Sequence, residues 1–234
     1  MMLNQWLLLN IDYGVNAMNR IILEPSLLSI NASKKIIPQL KKIKAMGINY
    51  IHYDVMEKSF CNNTSFISQY LKDIQDCNLK ADVHLMVNDP NKWIEKYRYF
   101  KLNSLGFHVE SQNTLKAILI LKKIEKMGFK TMIAIKMETD LKKYIKLMPY
   151  VNILLIMSVE PGKAGQTFSH NCYNNLSISK KLKKKFSNLI IQIDGGINDK
   201  TIPLVKNYVD CVISGSWFFN NIDQINLKTK LFQK

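Results

Sequence analysis

Short apolar segments alternate with amphipathic stretches along most of this chain. Eight short apolar runs, most of them rich in β-branched residues, have the character of strands that are buried on both faces. Between the runs, apolar residues recur at helical spacing, as Ile36, Leu40 and Ile43 do, which predicts amphipathic helices. The predicted strands are 21–23, 50–55, 80–85, 105–109, 131–135, 152–157, 189–194 and 211–213. The predicted helices include 36–46, 90–99, 115–127, 141–148, 176–185 and 201–208, with a stripe from Phe66 to Ile74 and a last helix from about residue 223.

Strict alternation of strands and helices predicts a parallel sheet, and eight repeats predict closure into a single (β/α)8 TIM barrel of the α/β class. An open, doubly wound sheet is the alternative fold. It would carry a Gly-x-Gly-x-x-Gly turn after the first strand, and the chain has Glu-Pro-Ser there, at 24–26. A chain of 234 residues suits one such domain. We expect residues 19–234 to form the catalytic barrel and residues 1–18 to be an N-terminal extension, disordered or not translated.

Composition narrows the class of partner. The formal net charge is +15 at pH 7, but the lysines are spread through the predicted helices among Asn and Ile, so we expect no nucleic-acid partner. A diffuse positive field still attracts an anionic sugar phosphate. No apolar run reaches the roughly 18 residues of a membrane span, so we expect no membrane partner. The four cysteines form no Cys-x-x-Cys pair, which indicates a reducing, cytoplasmic compartment.

Reactive side chains collect at the C-terminal ends of the predicted strands, where barrels of this kind place their active sites. His52 and Asp54 are two positions apart on the second strand and therefore share a face. His84 ends the third strand and Asp194 the seventh. These two imidazoles and two carboxylates predict one divalent metal site that suits Zn²⁺, Fe²⁺, Mn²⁺ or Co²⁺. His108 ends the fourth strand and either contacts substrate or packs in the core.

Glycine-rich turns follow the last three predicted strands. Glycine lets backbone N–H groups approach an anion closely, and barrels of this kind commonly bind phosphate after their seventh and eighth strands. These turns therefore predict a phosphate site. Its candidate residues are Gly162, Gly165, Gln166, Gly195, Gly196, Gly215 and Ser216.

Six segments at these strand ends resemble the signature segments of the ribulose-phosphate 3-epimerase family, in its order and at its spacing. They are Pro-Ser-Leu-Leu-Ser from 25, His-Tyr-Asp-Val-Met from 52, Asp-Val-His-Leu-Met from 82, Met-Ser-Val-Glu-Pro-Gly from 157, Asp-Gly-Gly from 194 and Gly-Ser from 215. The resemblance runs from about residue 21 to residue 219. It implies a homo-oligomeric isomerase of the pentose phosphate pathway that interconverts ribulose 5-phosphate and xylulose 5-phosphate.

The resemblance also implies a role for each candidate residue. Asp54 and Asp194 would be the acid–base pair, one on each face of C3, working through an enediolate. One divalent metal ion would be bound by His52, Asp54, His84 and Asp194. Besides the glycine turns, the substrate-binding residues would be Ser26, His84 and an apolar lining of Met56, Met86 and Met157.

The chain departs from the family's pattern around the site. Glu57-Lys58-Ser59 lacks the usual glycine, Lys136-Met137 replaces Asn-Pro, and Lys163-Ala164 replaces an aromatic residue and a glycine. An added lysine could pair with the phosphate. Two alternatives stay open: a C3 epimerase of a six-carbon ketose phosphate of the allulose 6-phosphate type, with which Ala164 is compatible, and a degenerate phosphate-binding barrel. Related decarboxylases and aldol-type lyases carry an Asp-x-Lys-x-x-Asp run that the third strand lacks.

Overall fold

Eight parallel strands form a single sheet in the computed structural model, which describes residues 20–30, 36–65, 69–225 and 232–233. The strands are β1 (Ile22–Pro25), β2 (Tyr50–Met56), β3 (Lys80–Met86), β4 (Leu102–His108), β5 (Lys130–Ile135), β6 (Ile153–Met157), β7 (Ile190–Asp194) and β8 (Cys211–Ser214). From β2 to β8 each strand pairs with the next one in sequence, β8 pairs with β1, and an isolated parallel bridge between Ser26 and His52 links the β1 end to β2. The predicted (β/α)8 barrel is confirmed.

Helices follow the strands around the outside of the sheet. They are α1 (Ile36–Ala45), α2 (Lys58–Cys61), α3 (Gln69–Asp76), α4 (Pro90–Ile94), α5 (Thr114–Lys126), α6 (Tyr173–Lys185), α7 (Ile202–Val205) and α8 (Ser216–Asn220). The connection after β5 is a 3₁₀ helix, Leu141–Tyr150, which contains Pro149 and so lacks one backbone donor. None of the helices in the described ranges has both the length and the apolarity to cross a membrane.

The structure adds two helices to the predicted elements. One, α8, begins at Ser216 directly after β8 and carries the fully buried Phe218, whereas the helix predicted from about residue 223 lies mostly outside the described residues. The short helix α2 in the loop after β2 was not predicted, because four residues are too few for a periodic pattern. The predicted extension 1–18 and Phe66 lie outside the described residues.

The barrel interior is divided into an apolar and a polar part. The apolar part comes from β5, β6 and β8 and contains Met132, Ala134, Ile153, Leu155, Met157 and Ile213. The polar part comes mainly from β1 to β4 and β7 and contains Glu24, His52, Asp54, Asp82, His84, Ser104, His108 and Gln192, all of them buried. Buried polar groups are costly unless they are paired, so this part of the interior marks the site of function.

The two faces of α5 provide a test of this packing. Leu121 is fully buried against the barrel, whereas Leu119 on the same helix is 67% exposed. We expect Leu121→Ala to lower the free energy of unfolding by about 2–5 kcal/mol, because it leaves a cavity. The matched control, Leu119→Ala, should change it by no more than about 0.5 kcal/mol. Urea unfolding followed by circular dichroism measures both, and equal losses would contradict the observed helix orientation.

Candidate metal centre and adjoining cavity

Four side chains from three strands converge inside the barrel near the C-terminal ends of β2, β3 and β7. His52 and Asp54 both point inward because they are two residues apart on β2, and Asp54 is paired in register with His84 on β3. Asp194 ends β7. One ligand atom from each of these four residues lies within 4.8 Å of the other three. The structure therefore brings the four predicted ligands into one cluster.

The carboxylate of Asp54 lies at the centre of this cluster. Its Oδ1 atom is 3.2 Å from Nε2 of His52 and 3.2 Å from Nδ1 of His84. Its Oδ2 atom accepts a hydrogen bond from the Ser26 hydroxyl at 2.9 Å. Ser26 therefore holds the carboxylate so that the opposite oxygen faces both imidazoles.

The buried imidazole of His52 tests whether the cluster fits a metal ion. Both ring nitrogens are buried without a hydrogen-bond partner among the described residues, although Nε2 lies close to Asp54. An unpaired buried polar group costs about 1–3 kcal/mol, and a cation bound to Nε2 would remove part of that cost. Two imidazole nitrogens and two carboxylates also suit a divalent transition metal or zinc. The residues fit a divalent ion without selecting one.

The electrostatics of the cluster separate its two carboxylates. Burial would raise the pKa of Asp54, but the adjacent His52 and His84 outweigh it and hold that pKa well below its usual range. Burial raises the pKa of Asp194 to about 7, against the lowering effect of His52 and with the charge of Asp54 adding to the rise. Burial is also the main reason that the pKa of His84 falls to about 4. Two carboxyl groups with separated pKa values suit acid–base chemistry.

A cavity of about 200 Å³ opens beside Asp54 and Asp194. The glycine turns after β6, β7 and β8 form much of its wall. Among the residues predicted to hold a phosphate, those that line the cavity are Gly165, Gln166, Gly195, Gly196, Gly215 and Ser216. Asp54 and Asp194 lie where this cavity meets the group of four candidate metal ligands.

Backbone geometry requires glycine in the turn after β7. Gly196 has a φ angle of +59°, and a Cβ atom there would lie 2.3 Å from the backbone nitrogen of Phe168. The Ser158 hydroxyl is placed to bond the carbonyl oxygens of Asp194, at 2.8 Å, and Gly195, at 2.6 Å. The turn is therefore close-packed and fixed by hydrogen bonds, which suits a binding wall built from main chain.

Several predicted site residues lie away from this cavity. Gly162 packs against the loop after β2, where its carbonyl oxygen accepts a hydrogen bond from Asn63 at 2.9 Å. His108 lies behind His84 rather than in the cavity wall, with their Nε2 atoms 2.9 Å apart. His170, in the loop after β6, is exposed. The buried strand ends Met56, Met86 and Met157 also lie outside the cavity wall.

Sequence reasoning missed several polar residues of the site, among them Glu24 and Ser29. Glu24 on β1 is fully buried, with Oε1 3.8 Å from Nδ1 of His52. Ser29 borders the cavity, and its hydroxyl oxygen is 3.3 Å from that of Ser216. The available signal for Glu24 was its position directly after the apolar run 21–23 of the predicted first strand. Ser29 ends the signature segment Pro-Ser-Leu-Leu-Ser, but its contact with Ser216 depends on the approach of the β1 and β8 ends.

Sequence comparison with known proteins points to one family. The model of the ribulose-phosphate 3 epimerase family matches residues 22–219. The ribulose-phosphate 3-epimerase of Mycoplasma genitalium is 34% identical over 173 residues, which cover 74% of this chain and 80% of that protein. The enzyme of the same name from Treponema pallidum is 31% identical over 202 residues, with coverage of 85% and 91%.

Solved structures show similarity of fold alone. A structure of tryptophan synthase from Mycobacterium tuberculosis superposes with a TM-score of 0.63 at 12% identity, covering 91% of each chain. N-(5'-phosphoribosyl)anthranilate isomerase from Pyrococcus furiosus gives a TM-score of 0.57 at 12% identity, covering 90% of this chain and 98% of that one.

Removal of one candidate ligand tests the metal centre. We expect the wild type to bind one Zn²⁺ per chain. His52→Ala should weaken that binding by more than about 100-fold, because it removes a ligand itself, and loss of a residue that only orients a ligand already costs up to about 100-fold. The matched control is His170→Ala, because His170 is exposed and outside the cluster. Competition with a chromophoric chelator measures the affinity. Equal affinity in His52→Ala and the wild type would place the metal elsewhere.

Proposed function

The chain belongs to the ribulose-phosphate 3-epimerase family, and from that premise we propose that it inverts C3 of D-ribulose 5-phosphate to give D-xylulose 5-phosphate. The observation that carries this proposal is the placement of Asp54 and Asp194 on β2 and β7, both at the wall of a glycine-lined cavity. Inversion of a carbon centre needs one group to remove a proton and a second group to return one on the opposite face.

The two aspartates would perform this transfer. The proton at C3 is weakly acidic because it lies next to the C2 ketone, and its removal gives an enediolate. Asp54 would remove that proton, and Asp194 would return one to the other face. In the reverse reaction the two residues exchange roles.

The other residues of the cluster would position the substrate and the metal. His52, His84, Asp54 and Asp194 would hold a divalent ion, which supplies stabilisation of the negative charge that develops on the C2 and C3 oxygens. Ser26 would contact the substrate while its hydroxyl bonds Asp54.

Three methionines at strand ends would adjoin the proposed site. Met56, Met86 and Met157 are buried at the ends of β2, β3 and β6. Their side chains would form an apolar layer that limits the access of water to the enediolate. Water exclusion also strengthens the electrostatic interactions within the site.

The cavity would receive the phosphate group. Backbone N–H groups of the turns at Gly195–Gly196 and Gly215–Ser216 would bind its oxygens, with Gly165 and Gln166 closing the opposite wall. Lys163 also borders the cavity, and its ammonium group would pair with the phosphate charge. Gly162 would act indirectly, by joining the loop after β6 to the loop after β2.

The wider setting of the reaction stays a prediction. All four cysteines are free thiols, which supports a reducing compartment such as the cytoplasm. The expected homo-oligomer, the place in the pentose phosphate pathway and the absence of nucleic-acid and membrane partners follow from the sequence and the family resemblance.

Substitution of each aspartate tests the two-carboxylate mechanism. We expect Asp54→Asn and Asp194→Asn each to lower kcat by at least about 10²- to 10⁴-fold, because an amide cannot transfer the proton. The matched control is Asp223→Asn, which alters a largely exposed carboxylate. A coupled assay with ribulose 5-phosphate, after reconstitution with Zn²⁺, Fe²⁺, Mn²⁺ or Co²⁺, measures the rates.

The same assay distinguishes the alternatives. A higher kcat/KM for a six-carbon ketose phosphate would identify the chain as the longer-substrate epimerase. Folded protein that binds metal and phosphate but exchanges no C3 proton with deuterated solvent would identify a binding barrel and refute the catalytic proposal.

The lysine at the cavity gives a separate test of phosphate binding. We expect Lys163→Gln to raise KM about two- to five-fold with little change in kcat, because an exposed ion pair contributes about 0.2–1 kcal/mol. The increase should shrink at high salt, where such pairs are screened. The control is Lys181→Gln on the exposed side of α6. An unchanged KM at low salt would show that backbone groups bind the phosphate without Lys163.

A further inference from the structure

A chain of polar contacts runs from His84 across the barrel to the end of β5. Nε2 of His84 is 2.9 Å from Nε2 of His108 on β4. Nδ1 of His108 is 3.2 Å from Oε2 of Glu110, and Oε1 of Glu110 accepts the backbone N–H of Lys136 at 2.8 Å. A continuous set of hydrogen bonds thus connects the C-terminal ends of β3, β4 and β5.

The polar contacts that run from His84 to Lys136 are sheltered from water. His84 and His108 have no exposed surface, and 19% of the Glu110 side chain is exposed. The ring of Phe60 on α2 covers His108, with ring centroids 5.0 Å apart. Hydrogen bonds in such surroundings are strong and mutually reinforcing. His108 and Glu110 do not line the cavity.

For a neutral His108, the acceptors set the direction of each hydrogen bond from Lys136 to His84. The Lys136 amide can only donate, and burial would raise the pKa of Glu110, but bonds from His108 and Lys136 outweigh it and keep that pKa low. An ionised Glu110 accepts from Nδ1 of His108, which leaves the His108 lone pair on Nε2. That lone pair requires a proton on Nε2 of His84.

The consequence appears at the other nitrogen of His84. With its proton on Nε2, the ring presents the lone pair of Nδ1 to Asp54 Oδ1, 3.2 Å away. Two electron pairs that face each other at this distance repel, so the arrangement calls for a cation between or beside them. The opposite tautomer would satisfy Asp54 but would turn a lone pair of His108 toward Glu110.

We propose that His108 and Glu110 are positioning residues that orient His84 and fix its tautomer, so that Nδ1 is ready to bind the metal ion. This inference rests on the proposed metal role of His84. Metal-bound imidazoles generally donate their second N–H to a carboxylate or carbonyl, and here a second histidine extends that connection to Glu110.

An isosteric substitution reverses the donor and acceptor roles in the hydrogen bonds from Glu110 through His108 to His84, which we call the relay. In Glu110→Gln the side-chain oxygen still accepts from Lys136, but the amide nitrogen donates to His108 and drives the proton of His84 onto Nδ1. We expect Zn²⁺ affinity to fall about 10- to 100-fold. The control is Glu95→Gln, an equal change in a surface ion pair with Lys123. Chelator competition gives the affinity, and the thermal midpoint of the metal-free proteins verifies folding.

Nitrogen-15 spectra give a readout that a purely structural role would not change. The chain has four histidines, so labelled histidine gives a spectrum that can be assigned with single variants. In the Zn²⁺-loaded wild type we expect protons on Nε2 of His84 and Nδ1 of His108. The opposite tautomers in the wild type would overturn the proposal, whether or not Glu110→Gln folds.

The two proposals fail in different ways. A folded wild type that binds no Zn²⁺ would refute the metal centre and the relay together. A wild type that binds Zn²⁺, with Glu110→Gln folded and binding it equally well, would refute the relay alone and leave the proposed epimerase chemistry untouched.

Discussion

The buried carboxylate of Asp54 receives contacts from three neighbours, and the rest of the site is arranged around that charge. Ser26 donates to one oxygen, while imidazole nitrogens of His52 and His84 lie 3.2 Å from the other. An ionised group inside a barrel is stable only where polar partners compensate its loss of water. Strand pairing provides those partners, because β1, β2 and β3 meet in register at this level.

This requirement explains the divided interior of the barrel. Apolar side chains of β5, β6 and β8 fill one part, and polar side chains fill the rest. On the N-terminal side of the four candidate ligands, Asp82 accepts hydrogen bonds from Asn103 and Ser104. The Gln192 amide connects Asp82 with Glu24. Hydrogen bonds thus connect the polar residues of β1, β3, β4 and β7 below the four candidate ligands.

Two of the loops that depart from the family's pattern, those after β2 and β5, contact each other and the same buried group. The loop after β2 ends its short helix at Asn62 with a φ angle of +55°, a conformation that asparagine tolerates without glycine. Lys136 donates its backbone N–H to Glu110 and places its ammonium group 5.0 Å from the Phe60 ring. Phe60 in turn covers His108, so the changed loops after β2 and β5 both stabilise the group behind His84.

The sequence by itself determined the order of strands and helices, the barrel and the strand ends at which ligands collect, because periodicity and strand position are local properties. Folding decided which polar groups touch. His108 has the same position at a strand end as His84, yet only barrel closure places it behind that ring, with Glu110 beyond it. Folding likewise brings Glu24 close to His52 and Gly162 close to Asn63. Such contacts join residues far apart in the chain, and their geometry depends on register, twist and packing.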